Sequence, residues 1–502
     1  MSRNKLLTLA LSTCLSLTAC TVGPNFKPDK IKVPDTFVEQ PQSVTAAEIA
    51  RTEADMKDWW AQFHDPMLNE LIEAAVKGNY DLQIASQHII SERAVRRQAQ
   101  AAWYPQLDAA MGGGDDRYSI NVDNWPLRPG NPANRPQASV LTYGARASWE
   151  IDLFGHISRQ VEERKRLVEE SLENRRAILL SLLSEVASDY VTLRGIQERL
   201  AVTEHSIDVA QRSRELTEKL YTHGLGNTLA VAQAQTEEHL ERSRLAPLHS
   251  QEERLIHAIS ILLGEMPGKL EEELDVRRPL PSVPAFPASL PSIVLANRPD
   301  IRATEAHYAA DMAQVGVAVA NLYPKFMIPL TFNPNASAAY QAFQMGGMAW
   351  SFMMMASLPI IHGGRYTAEI AQARAEAEAS RLVYRKTVLK AFAEVEDSMG
   401  DWRHDNELVT QLEEAATDSG LARDRAQKLF SAGLTGYLNV LTTEQTALSA
   451  QDQAVVGRMA RLRDAISLYT AMGAGWQGRQ LTDTRLPIEV GKQNALVRAF
   501  TR

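Results

Sequence analysis

The chain has 502 residues, 45% of them hydrophobic and 23% charged, a composition that supports ordered structure. Its net charge of -8, with no basic stripe or tail, argues against a nucleic-acid partner. No run reaches the roughly 18 to 20 apolar residues that a spanning helix needs, and two cysteines, Cys14 and Cys20, make neither a disulfide framework nor a zinc site.

Arg3 and Lys5 precede an apolar stretch from Leu6 to Leu17, and Leu17-Thr18-Ala19-Cys20 follows. A charged start, a short apolar region and small residues before a cut describe a secretory signal over 1–19. A cysteine directly after the cut resembles a bacterial lipobox. It predicts that Cys20 carries the acyl chains, palmitate among them, that hold the mature protein to lipid. Thr21 stands where an Asp would commonly retain a lipoprotein at the inner membrane, so the outer membrane is favoured.

From there the chain repeats itself. Asp81 and Tyr104-Pro105 recur as Asp300 and Tyr323-Pro324; Glu185-Val186 recurs as Glu394-Val395; Leu220 to Leu225 recurs as Leu429 to Leu434. The halves span 66–264 and 295–473. A 20–65 segment precedes them, a linker at 265–294 separates them and a 474–502 tail follows. Pro279, Pro281, Pro284, Pro287 and Pro291 make the linker extended.

Each half reads as a helix, two strands, a very long helix, a tight turn and a returning helix. The opening helix is predicted over Leu68–Trp103. The long helix runs from about Ile157 to Tyr221, with Val168, Leu172, Leu179, Leu182, Val186, Leu193 and Leu200 on one face. Gly224 and Gly226 end it, as Gly433 and Gly436 end its counterpart; glycine permits the left-handed residue that closes a helix. No strand precedes Gly224-x-Gly226, so it is not a phosphate loop. The returning helices are predicted as single elements, Thr228–Gly264 and Tyr437–Gly473.

The four strands, about 105–118, 139–154, 324–334 and 347–361, alternate. Tyr143, Ala145, Ala147, Trp149 and Ile151 oppose Gly144, Arg146, Ser148 and Glu150. Phe326, Ile328, Leu330 and Phe332 oppose Lys325, Met327 and Thr331. Trp350, Phe352, Met354, Ala356, Leu358 and Ile360 form one face of the fourth strand. Such lengths suit tilted membrane strands. Pro126, Pro129, Pro132 and Pro136 mark the first connecting loop as irregular. Four strands leave open edges that lipid cannot tolerate, so several copies must close one barrel.

The order and spacing of these features resemble the TolC-type outer membrane factor family, in its lipoprotein branch. The carrying residues are Cys20 with Gly23-Pro24-x-Phe26-x-Pro28, Trp59-Trp60 with Phe63 and Asp65-Pro66-x-Leu68, the two Tyr-Pro pairs, Trp149 to Gly155, Arg298-Pro299-Asp300-Ile301 and Leu358-Pro359-Ile360. The resemblance implies a mainly α fold with membrane β: duplicated long α-helical hairpins form a periplasmic α-barrel, and four strands per protomer join a trimeric outer-membrane β-barrel. It further implies a homotrimer meeting a periplasmic adaptor and an inner-membrane pump, as a passive duct for drugs or other toxic compounds, with no enzymatic activity. The alternative is a periplasmic adaptor or coiled-coil scaffold lipoprotein.

No cofactor or metal is expected. The methionines Met345, Met348, Met353, Met354 and Met355 could suggest Cu(I), but they fall on alternate strand faces and a loop, and barrel packing is preferred. In relatives, carboxylates after the second turn ring the periplasmic mouth; here Asn439 and Thr442 occupy those places. Helical spacing puts Leu438, Thr442 and Gln445 on one face, with Leu229, Gln233 and Thr236 as first-half equivalents. These six are the expected constriction, and Glu444, about 200° around the helix from Thr442, is expected outside it.

Overall fold

The computed structural model describes residues 21–29, 31–40, 45–117, 137–332, 335–336 and 349–479. The expected signal, Cys20, the loop of Pro126 to Pro136, Met345, Met348 and the tail beyond 479 lie outside the described residues.

Two helices of 67 residues each, α4 (His156–Thr222) and α10 (Arg365–Ser431), dominate the chain. At 1.5 Å per residue each spans roughly 100 Å. The elements before α4 are α1 (Ala46–Asp55), a 3₁₀ stretch (Met56–Phe63), α2 (Pro66–Gly78), α3 (Tyr80–Ala101), β1 (Gln106–Arg117) and β2 (Gln137–Ile151). After α4 come α5 (Thr228–Ser243), α6 (Leu245–Leu262), the short α7 (Glu271–Leu274) and α8 (Pro291–Asn297), and α9 (Pro299–Ala320). The second half continues with β3 (Lys325–Phe332), β4 (Asn335–Ala336), β5 (Trp350–Phe352), β6 (Met355–Ser357), α10 and α11 (Tyr437–Ala471).

Three expected single elements are broken, each for a local reason. The predicted Leu68–Trp103 helix divides at Asn79. This residue caps α3 by accepting from the Leu82 amide at 3.0 Å, and its side-chain amide donates to the Leu262 carbonyl at 3.0 Å. Gly78 also touches the Leu263 carbonyl so closely that a Cβ would sit 2.0 Å from it. The predicted Thr228–Gly264 helix divides at Arg244, because Pro247 has no N–H for the carbonyl four residues earlier. Its counterpart α11 contains no proline and runs unbroken for 35 residues. The fourth strand is two short pieces, β5 and β6.

That last break keeps register. Leu330 pairs with Phe352 and Met327 with Met355, so no residue is inserted between the pieces. Between them Pro329 faces Met353; its carbonyl accepts from the Met353 amide at 3.2 Å, and it has no N–H to return. The sheet is antiparallel throughout, in the order β1–β2–β3–β5, with β4 extending the β3 pairing along β2 and β6 that of β5 along β3. Both outer edges, β1 and β5 with β6, lack a partner strand among the described residues.

The helices form a wall. Helices α3, α5 and α6 pack on α4, whereas α9 and α11 each contact both long helices. The order across the wall is therefore first-half short helices, α4, second-half short helices, α10. The main core lies midway along α4, where Trp59, 1% exposed, stacks on Tyr469 at 5.4 Å. Trp60, Phe63, Leu183, Tyr190, Leu468 and Met472 belong to it. Full burial of such a side chain is worth about 1.5 to 3 kcal/mol. Asp65 fastens this core: one oxygen caps α2 through the Met67 and Leu68 amides, and the other accepts from the Tyr190 hydroxyl at 2.7 Å. The linker docks here as well. Buried Arg194 donates to the carbonyls of Leu274 and Val276, and Ser282 donates to that of Phe63 at 2.8 Å.

Candidate functional site

Three regions bear on function: the hairpin turns, the sheet face and the N-terminal strap.

The two turns are built alike. Gly224 and Gly433 have φ of +74° and +71°, and an equivalent bond closes each helix. The Leu225 amide donates to the Leu220 carbonyl and the Leu434 amide to that of Leu429, both at 2.9 Å. Gly226 and Gly436 do not use left-handed backbone; Gly436 is the extended residue preceding α11, with φ of -82°. Of the four turn glycines, only two therefore serve the role assigned from sequence. Just beyond the turns, Ala234, Ala426, Tyr437 and Val440 pack together, with Phe430 against Tyr437.

Helix α11 consequently has two faces. Tyr437, Val440, Glu444, Ala447 and Leu448 are buried, whereas Leu438, Thr442 and Gln445 are exposed. On α5, Leu229 and Thr236 are exposed and Gln233 is half-buried. The side chains are not equally free. The Thr442 hydroxyl donates to the Leu438 carbonyl at 2.8 Å, and the Gln445 amide turns back to donate to Glu237 at 2.9 Å.

Sequence reasoning set Glu444 aside and missed what surrounds it. Glu237, Glu241 and Glu444 are 6%, 2% and 8% exposed, and all line one cavity of 20 Å³ where α4, α5, α10 and α11 meet. Burial pushes the Glu444 carboxyl up to about 7, with Glu237 adding and Arg423 opposing. Burial also pushes Glu241 up to about 7, with Arg244 opposing and Glu237 adding. The available sequence signal was an acidic residue on the apolar stripe of each returning helix.

In the sheet, cross-strand register aligns the apolar positions of all four strands. Leu107 faces Ala147, Ala147 faces Leu330, and Leu330 faces Phe352; likewise Ala145 faces Phe332, which faces Trp350. One face thus carries Leu107, Met111, Trp149, Leu330, Phe332, Trp350 and Phe352, all exposed. The opposite face carries Asp108, Arg146, Ser148, Glu150, Thr331 and Ser351. Met353 and Met355 fall on this polar face with Met327, and Met354 on the apolar one, as strand alternation requires. Among the described residues, no group of three His, Cys, Asp or Glu could hold a metal ion.

The strap begins where the sheet meets the helices. Val22 donates to the Phe154 carbonyl at 3.1 Å, and Thr21 lies against Gly155. Buried Arg159 donates to the carbonyls of Val22 and Gly23 and to Asn25. Gly23, at φ +88°, sits so close to Gly316 that a Cβ would lie 2.6 Å from its Cα. Phe26 then packs on Tyr308, and Asp29 pairs with Arg381 and Arg385. Residues 21–29 therefore tie α4, α9 and α10 together at the sheet end.

The profile described as "Outer membrane efflux protein" matches residues 71–265 and 290–474. The chain is 31% identical over 476 residues to the pyoverdine export outer membrane protein OpmQ of Pseudomonas aeruginosa, covering 93% of this chain and 96% of that one. It is 28% identical to the cation efflux system protein CusC of Escherichia coli over 478 residues, 95% of this chain and all of the other. A solved structure of the outer-membrane channel OprN superposes with a TM-score of 0.80 at 30% identity, covering 91% of this chain and 100% of that chain.

Proposed function

The chain belongs to the outer membrane efflux protein family, and on that premise we propose that three copies form a passive duct, the outer-membrane component of a tripartite efflux system. The observation that calls for several copies is the sheet, and the family supports three. Four strands present a continuous apolar face and, among the described residues, end in two unpartnered edges, which hydrocarbon does not tolerate. The helical wall supports the same reading. Its outer members expose Leu382, Leu389, Leu408 and Leu421 on α10 at one edge, and Ile84, Leu240 and Ile261 at the other. Closing a ring of copies covers both.

The hairpin turns are then the periplasmic end, where an adaptor and an inner-membrane pump engage. Leu438, Thr442 and Gln445, with Leu229, Gln233 and Thr236, form the constriction. Cys20 carries the lipid. Its neighbour Thr21 lies beside Gly155, at the boundary of sheet and helices, which supports an anchor on this side of the helical wall. The adaptor alternative is overturned by the family match across both halves and by the likeness to outer-membrane channels. Deleting the gene in its host, with and without complementation, tests the duct. Intracellular accumulation of dye and antibiotic substrates should rise on deletion and return to normal on complementation. Unchanged accumulation of every compound tried would refute efflux.

A further inference from the structure

We propose that Glu237, Glu241 and Glu444 form a proton-held seam that keeps the two helical hairpins closed against each other near their turns. Three observations carry it. The carboxylates come from different hairpins, Glu237 and Glu241 from α5 and Glu444 from α11, and line the same cavity. Each is more than nine-tenths buried, and Glu241 Oε2 and Glu444 Oε1 are buried with no hydrogen-bond partner. The 20 Å³ cavity holds about one water, so a hydrated cation does not fit. A proton is the ligand this space takes. A protonated carboxyl removes one buried charge without needing room for a larger ligand.

The cations at the seam do not neutralise all three carboxylates. From α4 the cavity is faced by Ser206, Val209 and Ala210; Arg214 of the same helix is engaged by Glu218 and Glu238. From α5, Arg242 pairs with Glu238, and Arg244 reaches Glu241 from the exposed rim at 3.3 Å. From α10 comes Arg423, itself bound to Asp424 at 2.8 Å. From α11 comes Tyr437, whose hydroxyl burial pushes up to about 12, so it stays protonated. Ionising all three therefore leaves negative charge in excess of Arg244 and Arg423 in a confined space that holds about one water.

The sign follows from linkage. In the closed seam Glu241 and Glu444 bind protons more tightly than an ordinary glutamate, so closure is favoured at mildly acidic pH. It weakens as pH rises from the ordinary carboxyl range towards about 7. If the duct reading holds, an acidified periplasm tightens the passage and a neutral one frees it for dilation.

The test is hydrogen–deuterium exchange of the full-length protein in detergent, between about pH 5 and about pH 7.5, corrected for the intrinsic rate. Segments 228–243 and 437–450 should lose roughly 1,000-fold in protection across that range, since each of the two carboxyls contributes up to about tenfold per pH unit. Combined Glu241→Gln and Glu444→Gln should abolish the pH dependence and keep these segments protected at neutral pH. Arg423→Gln, which removes the compensating cation, should lower protection at neutral pH more than at acidic pH. A flat profile in the unmodified protein, or the same slope in the double variant, would overturn the seam. Exchange is read on the protein itself, so the seam stands or falls independently of any channel conductance.

Discussion

Placing a charge on the exposed apolar face of the sheet separates the membrane reading from a soluble one. Phe352 is 62% exposed, pairs with Leu330 across β3, and lies between Trp350 and Met354 on the same face. In lipid, Phe352→Arg costs about 2 to 4 kcal/mol near the bilayer midplane. With three copies in one barrel the total is about 6 to 12 kcal/mol per assembly, comparable to the whole stability of an ordinary domain. Ser351→Arg puts the same charge one residue away on the polar face. It removes the Thr331–Ser351 hydroxyl contact, about 0.5 to 1.5 kcal/mol per chain. Urea unfolding in lipid vesicles, followed by the loss of heat-modifiable migration, gives both values. Phe352→Arg should reduce or abolish insertion, and Ser351→Arg should insert with a modestly lowered midpoint. Equal losses would show that the two faces meet similar surroundings, and the barrel argument would fail.

Three further outcomes follow from the turns and the anchor. Gly433→Ala should lower thermal stability by about 1 kcal/mol because its φ is +71°, whereas Gly436→Ala, in open space at φ -82°, should be nearly silent; equal shifts would contradict the turn geometry. Thr442→Asp should increase block by multivalent cations added on the periplasmic side in planar bilayers, since it adds a ring of charge to a neutral face. An unchanged response would remove this stretch from the constriction. Protein from its native host should have an intact mass exceeding the 20–502 polypeptide by that of its lipid, and an unmodified Cys20 would end the lipoprotein proposal.

Periodicity and duplication made most of the architecture legible. The ladder through Val168, Leu179, Leu182, Val186 and Leu193 buries these residues in α4, and the strand alternation fixed which residues share a face. The breaks were harder, although their causes stand in the sequence. Pro247 interrupts a hydrophobic pattern that continues on both sides of it. Asn79 caps α3 through a local bond, but its second bond, to the end of α6 from across the fold, is not legible in the sequence. Pro329 breaks the last ladder on β3 because its missing N–H faces β5 and β6, an orientation set by pairing. Gly23 read as part of a family motif; its physical reason, contact with Gly316, joins residues far apart in the chain. The candidate constriction was read from helical spacing alone, which gives the face of a side chain and not its bonds, so Gln445 turning to Glu237 was invisible. Glu444 was placed off the exposed stripe correctly. Its burial beside Glu237 and Glu241 depends on two hairpins meeting, and no pattern within one helix reports that.

The most direct test of the central claim is the native mass of the full-length protein extracted in detergent from the outer-membrane fraction of its host, determined by light scattering with detergent correction. Four strands with two edges open among the described residues require further copies, and the trimer predicts a particle of three chains, absent from the soluble periplasmic fraction. A stable folded monomer, or a soluble protein recovered from the periplasm, would contradict it.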